Sequence, residues 1–210
     1  LAIPLRQSQA SVRFLGRIEA SRSAHLPLVG VDMGKPVINK ANPDYSAVSA
    51  FIAARAKELG EPALAKDWAL VSLSNRHLVF HLDAVSRELI RKIGPNLQIS
   101  PLWDGINVHI VCPKTPSESD RRVSAQSLGS PIEELMDVFV WERGAGETQA
   151  CGSGASAVAA SLFDSGLSNR SAWMGIDMPG GRLFIKQESA SDPITMAGPA
   201  ALVFRGKFVI

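Results

Sequence analysis

The chain has 210 residues, with 22 Lys and Arg against 20 Asp and Glu, for a net charge of +2. That length is ample for one large core or two small ones, and so even a balance gives no basic field for nucleic acid. No apolar stretch reaches membrane-spanning length, residues 1–27 are too polar for a signal peptide, and two cysteines make no disulfide framework. A reducing, cytoplasmic setting with neither nucleic-acid nor membrane partners is therefore expected.

In chain order, Asn42-Pro43-Asp44 opens a helix running to about residue 59, ended by Gly60 and Pro62. Residues 68–73 and 78–82 read as strands flanking a loop at 75–77. A short helix is expected over 86–93, closed by Gly94-Pro95. Residues 107–112 and 138–142 read as further strands. Between them, 113–129 is rich in Ser, Arg, Asp and Pro and reads as a mobile surface loop. Residues 172–178 and 182–186 form a hairpin about Pro179-Gly180-Gly181, and final strands cover 194–196 and 201–210.

The segment at 142–154 reads Glu-Arg-Gly-Ala-Gly-Glu-Thr-Gln-Ala-Cys-Gly-Ser-Gly. It joins an acid–base pair, Glu142 and Arg143, to Cys151 embedded among small residues. A helix follows from Gly154 to about Ser165, and it has almost no polar stripe: Ala155, Ala157, Val158, Ala159, Ala160, Leu162 and Phe163 surround it. A helix apolar all round must be buried all round. In a chain rich in strands, the simple solution is a mixed sheet rolled about that helix, an α+β fold. Cys151 then sits where loop becomes helix, with the N–H groups of Gly152, Ser153 and Gly154 open to a ligand. Unpaired N–H groups and the helix dipole favour negative charge there, and the same field is expected to lower the thiol pKa from about 8.5 towards neutrality. A carboxylate held on those N–H groups would lie beside the sulfur.

This run resembles the signature around one of the two catalytic cysteines of the diaminopimelate epimerases. Other segments agree in order. Val31-Asp32-Met33-Gly34-Lys35-Pro36 is similar to the family's Met-Gly-x-Pro turn, Ser74-Asn75-Arg76-His77 to its Gly-Asn-Pro-His motif, and Ile106-Asn107-Val108 to its Asn-Val strand. Met178-Pro179-Gly180-Gly181-Arg182-Leu183 and Met196-Ala197-Gly198-Pro199-Ala200 complete a match running from about Gly16 to the last residue. The resemblance implies a cofactor-independent epimerase that interconverts LL- and meso-diaminopimelate, in lysine and peptidoglycan precursor synthesis, by proton transfer between two opposed cysteines. Its fold is a mixed sheet rolled around a long helix.

Carried onto this chain, the resemblance makes Cys151 a catalytic acid–base group. The N–H groups of Gly152 and Ser153 would hold the α-carboxylate. Glu142 would accept from the substrate ammonium and tune the cysteines. Arg143, Asn75 and Asn107 would bind the distal carboxylate, and His77 would adjust cysteine pKa. On residue chemistry alone, Asn75 and Asn107 could be turn residues, His77 a structural histidine, and Glu142–Arg143 an ordinary ion pair. Arg76 stands where the family has proline and Ser74 where it has glycine, which alters the loop that places Asn75 and His77. The histidines (His25, His77, His81, His109) show no metal-ligand spacing shared with cysteine beyond the closeness of His109 to Cys112, and no metal is assigned.

The family's second catalytic cysteine belongs to a Cys-Gly-Asn motif in its first domain, which these 210 residues lack. Cys112 lies in an apolar run and reads as a small buried hydrophobe. The expected organisation is a remnant of an N-terminal epimerase domain over 1–32, a C-terminal epimerase domain over 33–198, and a strand returning to the first domain over 199–210. This is the pattern of a truncated chain, inactive alone. The partner is then a small amino-acid substrate. The residues leave the oligomeric state open; the family often forms dimers, and Phe204 falls where a dimer-contact tyrosine can occur, so a homodimer is admitted. The alternatives are another amino-acid racemase of the same fold that works without pyridoxal phosphate, or a non-catalytic amino-acid-binding remnant.

Overall fold

A computed structural model describes residues 12–20, 24–38, 45–201 and 203, with side chains from residue 28 onward. Among the described residues, eleven strands form a mixed sheet. They are β1 (Val12–Ala20), β2 (Ala24–Asp32), β3 (Val37–Ile38), β4 (Trp68–Leu73), β5 (Asn75–His81), β6 (Asn107–Lys114), β7 (Glu134–Glu142), β8 (Gly146–Glu147), β9 (Met174–Met178), β10 (Gly181–Lys186) and β11 (Thr195–Pro199). The order is β1-β2-β11-β10-β9-β7-β6-β5-β4-β3, with β8 paired to β7. The helices are α1 (Tyr45–Leu59), α2 (Arg87–Gln98), α3 (Glu118–Leu128) and α4 (Gly152–Asp164).

The near absence of a polar stripe on α4 dictates this architecture. Every residue from Gly154 to Phe163 is buried. The helix touches β3, β4, β5 and β6 on one flank of the sheet and β10 and β11 on the other, so the sheet curls around it. Ala155, Ala157, Ala159 and Ala160 let strands approach closely, while Val158, Leu162 and Phe163 supply bulk worth about 1.5–3 kcal/mol each when fully buried. The expected α+β fold, a mixed sheet rolled about one helix, is what forms.

The strands under α4 are near-continuous hydrophobic runs because both their faces are covered. Ala69, Val71, Val79, Val111 and Val138 point towards α4. Alternate residues Leu70, Leu78, Phe80, Val108 and Ile110 point the other way and pack against Val48 and Ile52 of α1 and Ile90, Ile93 and Leu97 of α2. That second layer explains why α1 and α2 form outside the curl.

Four local expectations are corrected. Residues 75–77 are not a loop: β5 begins at Asn75, and only Ser74, at φ 56°, separates it from β4. Helix α2 does not stop at Gly94-Pro95 but continues to Gln98, because Gly94 allows close approach to Trp141 and burial of Leu97 outweighs the single bond Pro95 forgoes. The segment 113–129 is not all loop. Ser117 and Asp120 form a reciprocal capping box, and Gly129 closes α3 at φ 79°. Cys112 is half-buried and lines a cavity of about 330 Å³ with Asp67, His81 and Leu162, so it is not the fully buried hydrophobe expected of an apolar run. The strand β2 pairs with β11, so β1 and β2 extend the same sheet. The start of the first helix at Asn42 and most of the expected strand over 201–210, with Phe204, lie outside the described residues.

Candidate active site

Sheet register gathers the motif residues at one place. β5 and β6 run parallel with His77 opposite Asn107, and β7 runs antiparallel to β6 with Trp141 opposite Val108. The starts of β5 and β6 and the end of β7 therefore share one end of the sheet. Alternation then fixes the face, since Asn75 and His77 are in phase with Val79, Asn107 and His109 with Val111, and Glu142 with Val138. Those three valines face α4. The side chains of Asn75, His77, Asn107, His109 and Glu142 thus stand on the α4 side, where its N-terminus arrives.

Cys151 is the N-cap of α4, with extended backbone and no side-chain cap bond. Its own N–H points to Met178 Sδ at 3.3 Å, and its Sγ lies 3.7 Å from Ser153 Oγ. Sequence reasoning placed the sulfur at an exposed helix start with a low pKa. The structure corrects this: Cys151 is only 6% exposed, and its thiol is pushed up to about 11. Burial is the main cause. Hydrogen bonds from Ser153 and the Gly154 N–H pull down, but the Glu142 carboxylate, which accepts from the thiol, adds to the rise. Cys151 therefore rests as a thiol at neutral pH.

Glu142 also accepts a short hydrogen bond from Thr148 Oγ1, which fixes its carboxylate beside the cysteine. The Arg143 N–H donates to Asn107 Oδ1 at 2.8 Å, so Asn107 holds the turn that follows β7. The Arg143 guanidinium reaches the Asp104 carbonyl at 3.2 Å, and its stem lies over Gly105, where an added Cβ would meet Cγ at 2.6 Å. Asn75 Oδ1 accepts from His77 Nε2 at 2.6 Å. The Oδ1 atoms of both asparagines are thus engaged, while their Nδ2 groups have no partner among the described residues and can donate to a ligand. In the first turn of α4 the Gly152 and Ser153 N–H groups likewise lack an acceptor among the described residues.

Three features of this site were missed in the sequence. His109 is fully buried, and its Nε2 lies 2.9 Å from His77 Nδ1. Burial lowers the pKa of His77 to about 4 and that of His109 well below the usual histidine range, with His77 adding to the second effect. The N–x–H spacing repeats at 75–77 and 107–109, and that repeat on two strands was a readable signal. Second, Met196 of β11 covers Gly152, where an added Cβ would meet its Sδ at 2.9 Å. Third, Glu147 is gripped by Arg87 at 2.8 Å and Arg91 at 2.5 Å, which ties the motif loop to α2. Both arginines remain exposed, so this part of the run from Arg87 to Lys92 is solvated surface that also pins the motif loop.

A second constellation resembles a hydrolase triad and is not one. His81 lies 2.9 Å from both Asp67 Oδ1 and Ser161 Oγ. Ser161 gives its hydrogen to the Val158 carbonyl at 2.7 Å and is 3% exposed in mid-helix, so it cannot reach a substrate. These contacts tie α4 to β5. Among the described residues no group of three or more His, Cys, Asp or Glu could hold a metal ion, and no helix is long and apolar enough to cross a membrane.

The family model for diaminopimelate epimerase matches residues 69–203. A diaminopimelate epimerase from Pseudomonas fluorescens is 31% identical over 183 residues, covering 85% of this chain and 57% of that protein. One from Bacillus pumilus is 30% identical over 200 residues, covering 93% of this chain and 63% of that protein. This chain thus spans about three-fifths of the length of these curated relatives. A solved structure of a predicted epimerase from Pseudomonas aeruginosa has the same fold, with TM-score 0.50 at 18% identity over 95% of this chain and 70% of that one.

Proposed function

Because the chain belongs to the diaminopimelate epimerase family, we propose that its site forms one half of an acid–base centre that inverts the α-carbon of diaminopimelate without a cofactor. One observation carries the reading. Register and alternation bring Asn75, His77, Asn107 and Glu142 to the α4 face at the sheet end where Cys151 caps that helix, and Arg143 follows Glu142 at its rim.

In this reading the Gly152 and Ser153 N–H groups receive the substrate α-carboxylate, where the helix dipole favours negative charge. Glu142 accepts from the α-ammonium. The free Nδ2 groups of Asn75 and Asn107 and the guanidinium of Arg143 hold the distal carboxylate, for which a planar fork is well suited. His77 stays neutral between Asn75 and His109. Cys151, a thiol at rest, is the acid that delivers a proton to one face of the carbanion.

Inversion also needs a base on the opposite face. Cys112 lines a different cavity and carries none of the motif contacts. The opposed cysteine must therefore come from outside these 210 residues, and the segments 1–32 and 199–210 are read as belonging to the domain that supplies it. Orientation between two such halves is worth up to about 7–11 kcal/mol, so the chain by itself is predicted to be inactive. The test is incubation of LL-diaminopimelate with residues 1–210 and with the protein expressed from its complete reading frame, without pyridoxal phosphate. The reading expects meso product only from the latter. Conversion by residues 1–210 alone, or its absence from both, overturns it.

A further inference from the structure

Alternation sends neighbouring residues of the motif segment to opposite faces of the sheet. Trp141 of β7 packs in the outer layer with α2, while Glu142, in phase with Val138, faces α4. Glu147 stands opposite Trp141 in the β7–β8 pair, so its side chain leaves on the α2 side. There Arg87 and Arg91, one turn apart on α2, each hold one of its carboxylate oxygens, at 2.8 and 2.5 Å. Thr148 is the next residue and turns to the α4 side, where its hydroxyl donates to Glu142 Oε1. One dipeptide thus joins the outer layer to the site.

The backbone of β8 is a weak anchor for that dipeptide. The strand has two residues and two pairs with β7, and the turn before it passes through Gly144 and Gly146 at φ 78° and 80°. Glycine is the residue that loses most conformational freedom on ordering. Side chains supply what the short ladder lacks. Trp141 lies against Gly94 and donates its indole hydrogen to Gln98 Oε1 at 2.5 Å, which fixes β7 on α2. Glu147 does the same for β8, and its side chain is only 12% exposed, so solvent screens its two ion pairs less than an ordinary surface pair.

We propose that the Arg87–Glu147–Arg91 clamp holds Glu142 against Cys151 through Thr148, making Glu147 and Thr148 positioning residues of the site. Its bearing on catalysis rests on the epimerase reading, in which Glu142 receives the substrate ammonium. In this structure the same carboxylate accepts the hydrogen of the Cys151 thiol. A carboxylate fixed beforehand by Thr148 does not have to be ordered when a ligand arrives. The other groups about the sulfur are Ser153 of its own helix and the His109 ring of β6, which shares the gap at Gly154. Neither belongs to the clamp, so releasing the clamp acts on the sulfur by freeing Glu142.

The test needs no turnover, so its failure is distinct from failure of the epimerase reading. The chain has two thiols, Cys112 and Cys151, whose S–H stretching bands lie in a clear infrared window, and Cys151→Ala assigns them. A thiol that donates to a carboxylate stretches at lower frequency than one that does not. Cys112, in a separate cavity, is the internal control for folding. The expected result is a shift of the Cys151 band to higher frequency in both Glu147→Met and Thr148→Val, with Cys112 unmoved. Thr148→Ser keeps the hydroxyl and should leave the Cys151 band where it is in the wild type. A Cys151 band unmoved by Glu147→Met, or moved as far by Thr148→Ser as by Thr148→Val, overturns the proposal. Should Glu147→Met disturb the Cys112 band as well, Arg87→Ala together with Arg91→Ala releases the clamp from its exposed side. The same upward shift is expected there, and an unmoved Cys151 band overturns the proposal.

Discussion

His77 donates its Nε2 hydrogen to Asn75 Oδ1 across 2.6 Å, and this contact reaches from a half-buried residue at the start of β5 to a fully buried imidazole two positions on. It leaves Asn75 one amide face for a ligand and commits the other to the interior. It also makes His77 expensive to protonate where it stands, because both ring nitrogens are already committed and no water reaches them.

That cost predicts a pH dependence of stability. Burial holds folded His77 at about 4, against an ordinary value of 6.5. The unfolded chain therefore binds a proton that the folded chain refuses between these values. The stabilisation is complete above about pH 6.5 and lost as pH falls through about 4. Urea midpoints for the wild type should fall across this window, with His109 acting in the same direction, and His77→Gln should flatten the slope. An equal slope in the variant would count against a neutral buried His77.

A second acid-labile element joins α3 to the β9–β10 hairpin. Arg182 pairs with Asp120 at 2.7 Å and Asp177 at 2.6 Å. Burial would raise the Asp120 carboxyl, but hydrogen bonds from Arg182 and Ser117 outweigh it and hold the group at about 2. Its folded value lies below its ordinary one, so its contribution is present above about pH 4 and lost as pH falls towards 2. Arg182→Met should reduce that acid-range slope, with the Ser117 bonds retaining part of it, while leaving the His77 window unchanged, as read by unfolding midpoints at a series of pH values.

Ser74 should be a stabilising target. It holds φ 56° with no side chain suited to that region, apart from its own hydroxyl on the Leu73 carbonyl. Ser74→Gly removes the steric penalty and should raise stability by about 0.5–1 kcal/mol in urea unfolding. A loss of stability would show that the Ser74 hydroxyl contributes more than the strain costs.

Gly152 and Gly154 should behave differently when changed to alanine. At Gly154 the added methyl collides with the His109 ring, which is fixed by His77 and cannot withdraw, and a cost of about 1–3 kcal/mol is expected. At Gly152 the neighbour is the end of Met196, a flexible thioether able to move aside, so the loss should be smaller. Thermal unfolding of the two variants ranks them.

The fold was legible where a single pattern demanded it. The run from Ala155 to Phe163, apolar apart from Ser156 and Ser161, has no polar stripe and forces burial on every side, and a curled sheet satisfies that in a strand-rich chain. Local signals were weaker where two rules competed. Pro95 argues for a helix end, yet Ile90, Ile93 and Leu97 keep one apolar stripe through it, and burial prevails. Residues 113–129 looked polar enough for a loop, although Ser117-x-x-Asp120 and Gly129 spell the two ends of α3. At the site, the motif gave the identities but not the electrostatics. A helix start suggested a low thiol pKa, whereas burial of the sulfur, with the Glu142 carboxylate beside it, decides the opposite. The part played by His109 was missed although the Asn-x-His repeat at 75–77 and 107–109 hinted at it, because the pairing of the two histidines depends on the register of β5 and β6.

The most direct test of the account is deuterium incorporation at the α-carbon of LL-diaminopimelate in heavy water, using the protein expressed from its complete reading frame. The account predicts deuterium at the inverted centre in the meso product, and loss of that product in Cys151→Ala. Turnover that survives Cys151→Ala undiminished would contradict it, because the acid–base group would then lie elsewhere than the N-terminus of α4.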